Sequence, residues 1–341
     1  MPRIGLFDGP SPVSRLDIPS GRGGLDVWIK NDGLYGTLYG GNKPRKLEFV
    51  LPRALETGAR TVITTGPLGT HHGLATALYG RQLGLNVALL LTYQRPNEHV
   101  VRQLVRMQRA GAFMHYTSGG PLTAIMAPYL VLKYAGRDRG RRPYVLPPGG
   151  STPLGALGYV NAALELAAQV RAGELPEPKA VVLPVGSGGT AAGLVLGLGL
   201  AGLKSKVVGV AITRAPTTWA VTVRQLALQV ARLIKRNGVS EFEPSLADLI
   251  VDDRWLGAGY GRLTPDGAAA AALMSSAGVE LEPTYTAKTV AGMIAMCASG
   301  ELSGTVLYWH TYDSRMPADE VISKSDYAAL PSEFRRFCPT I

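Results

Sequence analysis

Short apolar runs rich in branched side chains alternate with segments of helical spacing along most of the chain. The apolar runs predict strands at Arg60–Thr65, Asn86–Thr92, Ala112–Tyr116, Tyr144–Leu146, Lys179–Pro184, Lys206–Ile212, Asp248–Val251 and Thr305–Trp309. The spacing between them predicts helices at His71–Leu83, Asn97–Ala110, Pro121–Tyr134, Leu157–Val170, Thr190–Ala201, Trp219–Lys235, Pro265–Ser276 and Thr286–Ala298. Continuously apolar strands that alternate with helices are typical of parallel sheets covered on both faces. The order therefore predicts an α/β fold.

The chain is too long for one ordinary domain. With 341 residues, of which 46% are hydrophobic, it suffices for two cores at roughly 100–200 residues per domain. Neither an internal repeat nor a low-complexity linker separates two halves. We therefore expect two domains between which the chain crosses more than once, and not two consecutive domains joined by a single linker.

The charge is strongly positive, at +10 from 35 basic and 25 acidic residues. Such an excess can attract nucleic acid, but the basic residues are dispersed apart from the short run 137–142, which is typical of a solvated loop. No zinc spacing, helix-turn-helix pattern or alternation of aromatic and basic residues accompanies that run. We therefore expect no nucleic-acid partner. The positive net charge is instead expected to attract anionic substrates.

The cellular setting is indicated by cysteine content and by the N-terminus. Two cysteines, Cys297 and Cys338, form no disulfide framework. The N-terminal residues lack the apolar core of a signal peptide. No segment reaches the roughly 18 consecutive apolar residues of a membrane span. These features favour a cytoplasmic protein without a membrane partner.

A glycine-rich turn, Gly186-Ser187-Gly188-Gly189-Thr190, follows an apolar strand and opens a helix. Glycines let backbone N–H groups approach an anion, and the helix start adds the positive end of its dipole. The turn lacks the lysine of a Walker loop and the GxGxxG spacing of a dinucleotide loop. It indicates a phosphate cradle, although a tight strand–helix turn without a ligand has the same pattern.

A lysine follows two glycines at the start of another predicted helix, in Gly40-Gly41-Asn42-Lys43-Pro44. An ammonium group is disfavoured near the positive end of a helix dipole, so the pKa of Lys43 should fall. A lysine of low pKa suits imine chemistry. Without the other loops, a lysine in this place is more often a surface charge.

A third loop, Gly66–Gly73, also lies between a strand and a helix. Its backbone donors and the Thr70 hydroxyl suit a carboxylate. The adjacent His71 and His72 could suggest a metal, but sequence neighbours rarely face the same ion and no third ligand cluster is visible. We therefore expect no metal.

These motifs together resemble one family. GGNKPRKLE at 40–48 resembles the pyridoxal-lysine motif of the 1-aminocyclopropane-1-carboxylate deaminase and D-cysteine desulfhydrase family, within the fold-type-II, tryptophan-synthase-β-like pyridoxal phosphate enzymes. VGSGGTAAG at 185–193 resembles its phosphate loop. Further matches follow in order at Pro148–Ser151, Leu154–Tyr159, Gly259–Gly261, Leu281–Lys288 and His310–Thr311. The collinear order identifies the chain as a divergent member.

The resemblance implies an architecture. It consists of two three-layer α/β domains with mostly parallel sheets and pyridoxal 5′-phosphate in the cleft between them. The larger, cofactor-binding domain would comprise residues 1–46 and 163–341, and the smaller one residues 47–162. The resemblance alone implies a homodimer.

The resemblance also implies roles for single residues. Lys43 would hold the cofactor as a Schiff base and then act as the proton-transfer base, with Tyr260 and Tyr285 as active-site tyrosines. Asn42 would bond near the phenolic oxygen, and Thr286 or Thr311 would face the pyridine nitrogen. Phosphate would be bound by Lys46, Gly186, Ser187, Gly188, Gly189 and Thr190. The substrate would contact Gly69, Thr70, His71, His72 and Tyr312. Either tyrosine could instead be packed in the core.

The reaction implied is a lyase or deaminase reaction on a small amino acid. Deaminases of the family carry a carboxylate directly after the tyrosine that Tyr285 matches, whereas this chain has Thr286, as in desulfhydrase-like members. A hydroxyl cannot offset a pyridinium charge, so the ring is a weaker electron sink. That favours α,β-elimination, giving a 2-oxo acid and ammonia, over cyclopropane opening. Three alternatives remain: a β-replacement enzyme, a 1-aminocyclopropane-1-carboxylate deaminase and a non-catalytic homologue that binds pyridoxal phosphate or an amino acid.

Two departures from the family put D-cysteine itself in doubt. Gly69 stands where members usually have a serine that contacts substrate or cofactor. Tyr312 and Asp313 replace two glycines near the end of the matched region. A bulky tyrosine and a charged aspartate are expected to reshape the substrate side of the ring.

Overall fold

The structure is a computed structural model that describes residues 1–18, 26–214, 219–239, 243–317 and 320–338. Its contacts divide the chain into two units. The first comprises Met1, Gly5–Lys46 and Ser151–Met316, and the second comprises Pro2–Ile4, Leu47–Gly150 and Pro317–Ile341. The boundary between Lys46 and Leu47 falls inside helix α1, Asn42–Glu56. None of the described helices is long and apolar enough to cross a membrane.

The first unit is built around a six-stranded sheet. Its strands are β1 Val13–Arg15, β2 Asp26–Asn31, β7 Ala180–Val185, β8 Lys206–Ala211, β9 Leu249–Asp252 and β10 Thr305–His310. The order is β1-β2-β10-β7-β8-β9, and only the β1–β2 pair is antiparallel. In register, Tyr308 pairs with Ile29 on one side and with Val182 on the other.

Helices cover both faces of this sheet. They are α5 Pro153–Arg171, α6 Gly189–Leu200, α7 Trp219–Arg236, α8 Pro265–Ser276 and α9 Thr286–Ala298. All six residues of β7 are buried, and both α6 and α9 pack against β7 and β8. Because successive side chains of a strand point to opposite faces, a fully buried strand requires cover on both sides. Val182, Val208 and Met293 lie in the core on the α9 side.

The second unit contains a four-stranded parallel sheet. Its strands are β3 Thr61–Pro67, β4 Asn86–Thr92, β5 Phe113–Thr117 and β6 Tyr144–Leu146, in the order β5-β4-β3-β6. Its helices are α2 His71–Gln82, α3 Glu98–Arg109, α4 Pro121–Arg137, α10 Lys324–Ala329 and α11 Ser332–Arg335. The predicted α/β class with mostly parallel sheets is confirmed.

The C-terminal segment lies with the second unit, whereas the sequence places it with the first. The reason is a set of contacts with α3 and β5. The Arg109 guanidinium donates to the Asp326 carboxylate at 2.9 and 2.7 Å, and the rings of Tyr116 and Phe334 meet edge to face at 6.3 Å. Residues 151–162 also differ from the predicted division, since helix α5 belongs wholly to the first unit.

Candidate active site

The backbone before Lys43 is held tightly, which fixes where helix α1 begins. Gly41 has a φ of +83°, and a Cβ there would lie 2.4 Å from the carbonyl oxygen of Thr311. Its N–H donates to the Asp32 carbonyl at 2.7 Å, and the Asn42 N–H donates to the Thr311 carbonyl at 3.2 Å. A side chain at position 41 would be both strained and obstructed. Lys43 is therefore the second residue of a helix whose start is fixed in place.

The Lys43 amine has the low proton affinity that the sequence predicts, but the main cause is different. Burial lowers the pKa of Lys43 to about 8, and the negative charge of Glu282 opposes the shift. Within the described part of the chain, no group hydrogen-bonds this amine. Desolvation disfavours the ammonium form, so a substantial fraction of the amine is neutral near pH 8.

Two residues beyond Lys43, the Arg45 side chain anchors the helix in a buried network of charges. Its Nη2 lies 2.8 Å from Asp32 Oδ1 and its Nη1 2.9 Å from Glu165 Oε2. Asp32 also accepts hydrogen bonds from the Tyr159 hydroxyl and the Trp309 indole, both at 2.7 Å. The first turn of α1 is thus tied to three separate parts of the first unit.

The Gly186–Thr190 turn joins β7 to α6 and has its donors clustered around Ser151. The Ser151 hydroxyl lies 2.7 Å from that of Ser187, accepts the Gly189 N–H at 3.1 Å and lies 3.3 Å from Lys46 Nζ. No side chain caps the start of α6. Backbone N–H groups at a helix start next to hydroxyls and a lysine amine have the donors that a phosphate group requires.

Lys46 is the lysine whose amine reaches this group of donors. Its side chain is buried, and its pKa is lowered well below the usual lysine value by burial and by the nearby charge of Lys43. A Cβ at Gly189 would lie 2.5 Å from the Ser151 hydroxyl and 3.0 Å from Lys46 Nζ. Glycine is therefore required for these groups to approach one another. A bound dianion would offset the positive charge that burial makes unfavourable.

Asn42 joins the lysine segment to the cradle. Its Nδ2 donates to the Thr190 hydroxyl at 3.1 Å. The sequence predicts Asn42 and Thr190 as cofactor ligands on separate loops, and the structure brings both loops together within the first unit. Each starts a helix, so two helix N-termini meet at one place.

Tyr260 and Tyr285 form a pair beside the cradle. Their hydroxyl oxygens are 2.9 Å apart and their rings meet edge to face at 5.8 Å. A Cβ at Gly186 would lie 3.2 Å from Tyr285 Cε1, so this ring rests on the glycine turn. Burial raises the pKa of Tyr285 to about 12 and that of Tyr260 well above its usual value, to which Tyr285 contributes. Both tyrosines are neutral phenols at neutral pH.

The loop that carries Tyr260 is held by Lys288. This ammonium is buried and donates to the carbonyl oxygens of Leu256 and Gly259, both at 2.8 Å. Lys288 lies one helical turn after Tyr285, which precedes the first residue of α9. The start of α9 therefore carries one tyrosine and fixes the loop of the other.

The two threonines proposed for the ring nitrogen differ in their surroundings. The Thr286 hydroxyl accepts the Glu282 N–H at 2.8 Å and donates to the Glu282 carbonyl at 3.2 Å. The Thr311 hydroxyl is half-buried and has no hydrogen-bond partner among the described residues. The Thr286 hydroxyl is thus used in hydrogen bonds at the start of α9. Thr311 is the remaining candidate for the ring nitrogen.

The two residues after Thr311 differ in their contacts. The Asp313 carboxylate accepts the N–H groups of Gly40 at 2.6 Å and of Arg315 and Met316 at 3.1 Å. The Asp313 carboxylate therefore holds three backbone N–H groups in place. Tyr312 is half-buried, with its ring edge-on to His310 at 6.4 Å.

The Gly69–His72 loop belongs to the second unit. Thr70 caps α2, since its hydroxyl accepts the Gly73 N–H at 3.1 Å. His72 is buried, and its Nε2 lies 3.1 Å from the Thr64 hydroxyl on β3, which makes it part of that unit's interior instead of a substrate ligand. The Nδ1 of His71 lies 2.9 Å from Gln103 Nε2. No set of three His, Cys, Asp or Glu side chains among the described residues could hold a metal ion.

Three contributors, Ser151, Arg45 and Lys288, are absent from the sequence-predicted site. All three lie inside segments that the sequence matches to the family. The motifs therefore drew attention to these segments, but the roles of the three residues depend on contacts with distant parts of the chain. Only the folded arrangement reveals those contacts.

Comparisons with known proteins agree with this geometry. The family described as pyridoxal-phosphate dependent enzymes matches residues 4–311. A D-cysteine desulfhydrase of Klebsiella pneumoniae is 34% identical over 91% of this chain and 93% of its own length. A Pyrococcus horikoshii protein, provisionally named a 1-aminocyclopropane-1-carboxylate deaminase, is 33% identical over 91% of each chain. The crystal structure of an ACC deaminase homologue superposes with a TM-score of 0.78 at 31% identity, covering 91% of each chain. The buried lysine beside a phosphate cradle and these similarities lead to one conclusion: the chain belongs to the pyridoxal-phosphate dependent enzymes.

Proposed function

We propose that this enzyme catalyses α,β-elimination on a small amino acid that carries a leaving group on Cβ, releasing a 2-oxo acid and ammonia. The observation that carries the proposal is the character of the group available to the pyridine nitrogen. By the family resemblance Thr311 would face that nitrogen, and its hydroxyl has no hydrogen-bond partner among the described residues. Glu282 uses its carboxylate to accept the backbone N–H groups of Thr284, Tyr285 and Thr286. Neither Thr311 nor Glu282 would therefore offer a free carboxylate that could keep a ring nitrogen protonated.

The cofactor fits the residues that the first unit assembles. Lys43 would attach it, and Lys46, Ser151 and the Gly186–Thr190 turn would bind its phosphate, with Asn42 beside the ring. The fit rests on two observations. Gly189 leaves the room in which Ser151 and Lys46 converge, and burial together with the nearby charge of Lys43 lowers the pKa of Lys46, an effect that a bound anion would offset. Pyridoxal phosphate, when bound, supplies an electron sink for bonds at the substrate Cα.

Lys43 would then move the Cα proton. Its pKa of about 8 leaves a useful fraction of the amine neutral at physiological pH, and a base is most effective when its pKa lies near the working pH. Tyr260 and Tyr285 would hold a proton for the leaving group, because raised phenol pKa values keep both hydroxyls protonated. A leaving group on Cβ takes away the electron pair, so a weak sink suffices.

The relatives indicate where to begin the search for a substrate. The relative named D-cysteine desulfhydrase supports D-cysteine and β-chloro-D-alanine as first compounds. A second candidate, 1-aminocyclopropane-1-carboxylate deamination, is supported by the Tyr260–Tyr285 pair together with the other named relatives. The hydroxyl at Thr311 weighs against it, since ring opening without a leaving group needs a strong sink.

A titration of the holoenzyme with D- and L-amino acids tests the proposal. Cofactor absorbance would report binding and a coupled assay would report 2-oxo acid. We expect binding and 2-oxo acid from at least one compound with a Cβ leaving group. Turnover only of 1-aminocyclopropane-1-carboxylate would favour the second candidate, and absorbance changes without product would indicate a non-catalytic binding protein.

We also propose that the enzyme works in the cytoplasm as a homodimer. The support is the family resemblance and a sequence with few cysteines. Light scattering coupled to size-exclusion chromatography measures the mass directly. A mass near 36.1 kDa for the purified holoenzyme would contradict the dimer.

A further inference from the structure

The carboxyl ends of β3 and β4 place Gly69 and Gln94 side by side in the second unit. The two strands are parallel and Pro67 pairs with Thr92 at their ends. Gly69 and Gln94 each lie two residues beyond that pair. Ligands of α/β proteins bind at the carboxyl ends of parallel strands, so both residues lie where a substrate contact is expected.

The Gln94 side chain borders the space that a side chain at residue 69 would take. A Cβ built on Gly69 lies 3.1 Å from Gln94 Oε1, 3.4 Å from Gln94 Nε2 and 3.2 Å from a methyl group of Val100. The first and last of these distances are tighter than ordinary van der Waals contact. The chain therefore lacks a side chain at position 69 and has a carboxamide in its place.

The orientation of this carboxamide is fixed by the backbone. Gln94 Oε1 accepts the Gly69 N–H at 2.9 Å, and only the oxygen of an amide can accept. Nε2 with its two N–H groups therefore occupies the other position. The side chain is 8% exposed, yet none of the described residues accepts a hydrogen bond from Nε2. This nitrogen is not among the described buried polar atoms that lack a partner, so its two N–H groups are open to solvent and can meet an acceptor on a bound ligand.

We propose that Gln94 binds the carboxylate of the amino-acid substrate, supplying the polar contact that a side chain at residue 69 cannot make. This inference rests on the proposed function for its ligand. A carboxylate only accepts hydrogen bonds and so matches Nε2. The adjoining start of α2 also favours an anion, because the positive end of the helix dipole lies there.

The first test is Gln94→Glu in the holoenzyme. Glutamate keeps the size of the side chain and can still accept the Gly69 N–H, but it cannot donate and it repels a carboxylate. We expect the dissociation constant and the KM of the amino acid to rise by about 10- to 100-fold, as for loss of a hydrogen bond to a charged group, with a smaller change in kcat. Gln108→Glu, on the half-exposed side of α3, is the matched control and should bind normally.

The second test exchanges the two side chains. Gly69→Ser alone must displace Gln94 or Val100, so it should weaken binding, and so should Gln94→Ala alone. The double variant Gly69→Ser/Gln94→Ala places a hydroxyl in the vacated space and should bind better than the weaker single variant. Binding is read from cofactor absorbance and folding from the melting temperature of each variant.

The outcomes separate this inference from the proposed function. Unchanged binding in folded Gln94→Glu, or a double variant no better than either single one, would overturn the role of Gln94 whatever the reaction is. If no amino acid yields a 2-oxo acid with the unmodified enzyme, the proposed function fails. A weaker absorbance response to amino acids in Gln94→Glu would still support the carboxylate contact.

Discussion

The ammonium group of Lys288 lies 2.8 Å from the carbonyl oxygen of Gly259, the residue directly before Tyr260. A second contact of the same length joins it to Leu256. Helix α9 thus holds the Tyr260 loop through one buried cation, while Tyr285 at its start contacts the Tyr260 hydroxyl. Lys288 acts as a positioning residue for Tyr260.

Replacing Lys288 by methionine should release this loop while preserving most of the side chain's volume. We expect kcat to fall by about 10- to 100-fold, because a small displacement of a reacting group is costly. Hydrogen exchange of the peptide 253–262 should accelerate. The kcat loss should vanish in a Tyr260→Phe background, since the affected hydroxyl is already gone. An equal loss in both backgrounds would contradict the positioning role. Lys235→Met, on the surface of α7, is the control.

The two threonines should respond differently to replacement by valine. Thr286→Val removes a buried hydroxyl and leaves the Glu282 N–H without its acceptor, so the free energy of unfolding should fall by about 1–3 kcal/mol. Thr311→Val should leave stability nearly unchanged but alter the absorbance and affinity of the bound cofactor. Urea denaturation and cofactor titration measure the two effects. A cofactor effect confined to Thr286→Val would reverse the assignment.

The reactivity of Lys43 should depend on pH in a defined way. The neutral amine is the nucleophile, and with a pKa of about 8 half of the amine is neutral there instead of near the ordinary value of 10.5. The rate at which apoenzyme attaches pyridoxal phosphate should rise with pH, with its midpoint near 8. Stopped-flow absorbance measures this rate. A rate that keeps rising without a plateau up to pH 10 would show that burial does not lower this pKa.

The Asp32–Arg45 contact should contribute strongly to stability. Both side chains are buried, so Asp32→Ala leaves Arg45 short of a partner and should cost about 3–5 kcal/mol. Glu56→Ala removes an exposed partner of Arg53 and should cost less than about 1 kcal/mol. Urea denaturation of both variants provides the comparison. Similar losses in the two would mean that the buried network adds little.

The pH dependence of this network has a definite sign. Burial alone would raise the pKa of Asp32, but the charge and hydrogen bonds of Arg45 lower it below the ordinary value near 3.8. The unfolded chain therefore takes up a proton first as the pH falls. The contribution of Asp32 should be complete above about pH 4 and disappear at more acidic pH, which acid titration of Asp32→Asn against the parent would reveal.

Strands and helices could be predicted where one physical pattern dominates. Between its polar ends, Asn86–Thr92 is apolar because both faces of its sheet are covered, and the structure has a strand at those residues. Pro265–Ser276 begins on proline and is preceded by a capping threonine, and the helix is found there. Strands β1 and β2 were not predicted. β1 is a three-residue edge strand with mostly exposed side chains, and β2, next to it, has charged residues at Asp26 and Lys30 that interrupt its apolar pattern.

Less of the candidate site than of the fold could be predicted from the sequence. Lys43 and the Gly186–Thr190 turn could be identified because loops before helices have a local signature. Lys288 and Gln94 carry no such signature, since a lysine in a helix and a glutamine in a loop are common. Their roles arise from contacts made 29 and 25 residues away along the chain. His72 was assigned to the substrate because it adjoins a loop, whereas its side chain points to Thr64.

The most direct test of the central claim is the stoichiometry of products from β-chloro-D-alanine with the purified holoenzyme. Elimination predicts equal amounts of chloride, ammonia and pyruvate, and no product with Lys43→Ala. Addition of thiols should not divert the pyruvate into a new amino acid. Chloride release with a new amino acid in place of pyruvate would identify a β-replacement enzyme. If this compound and the other amino acids with a Cβ leaving group all yield no product, although the cofactor is bound, the proposed elimination is contradicted.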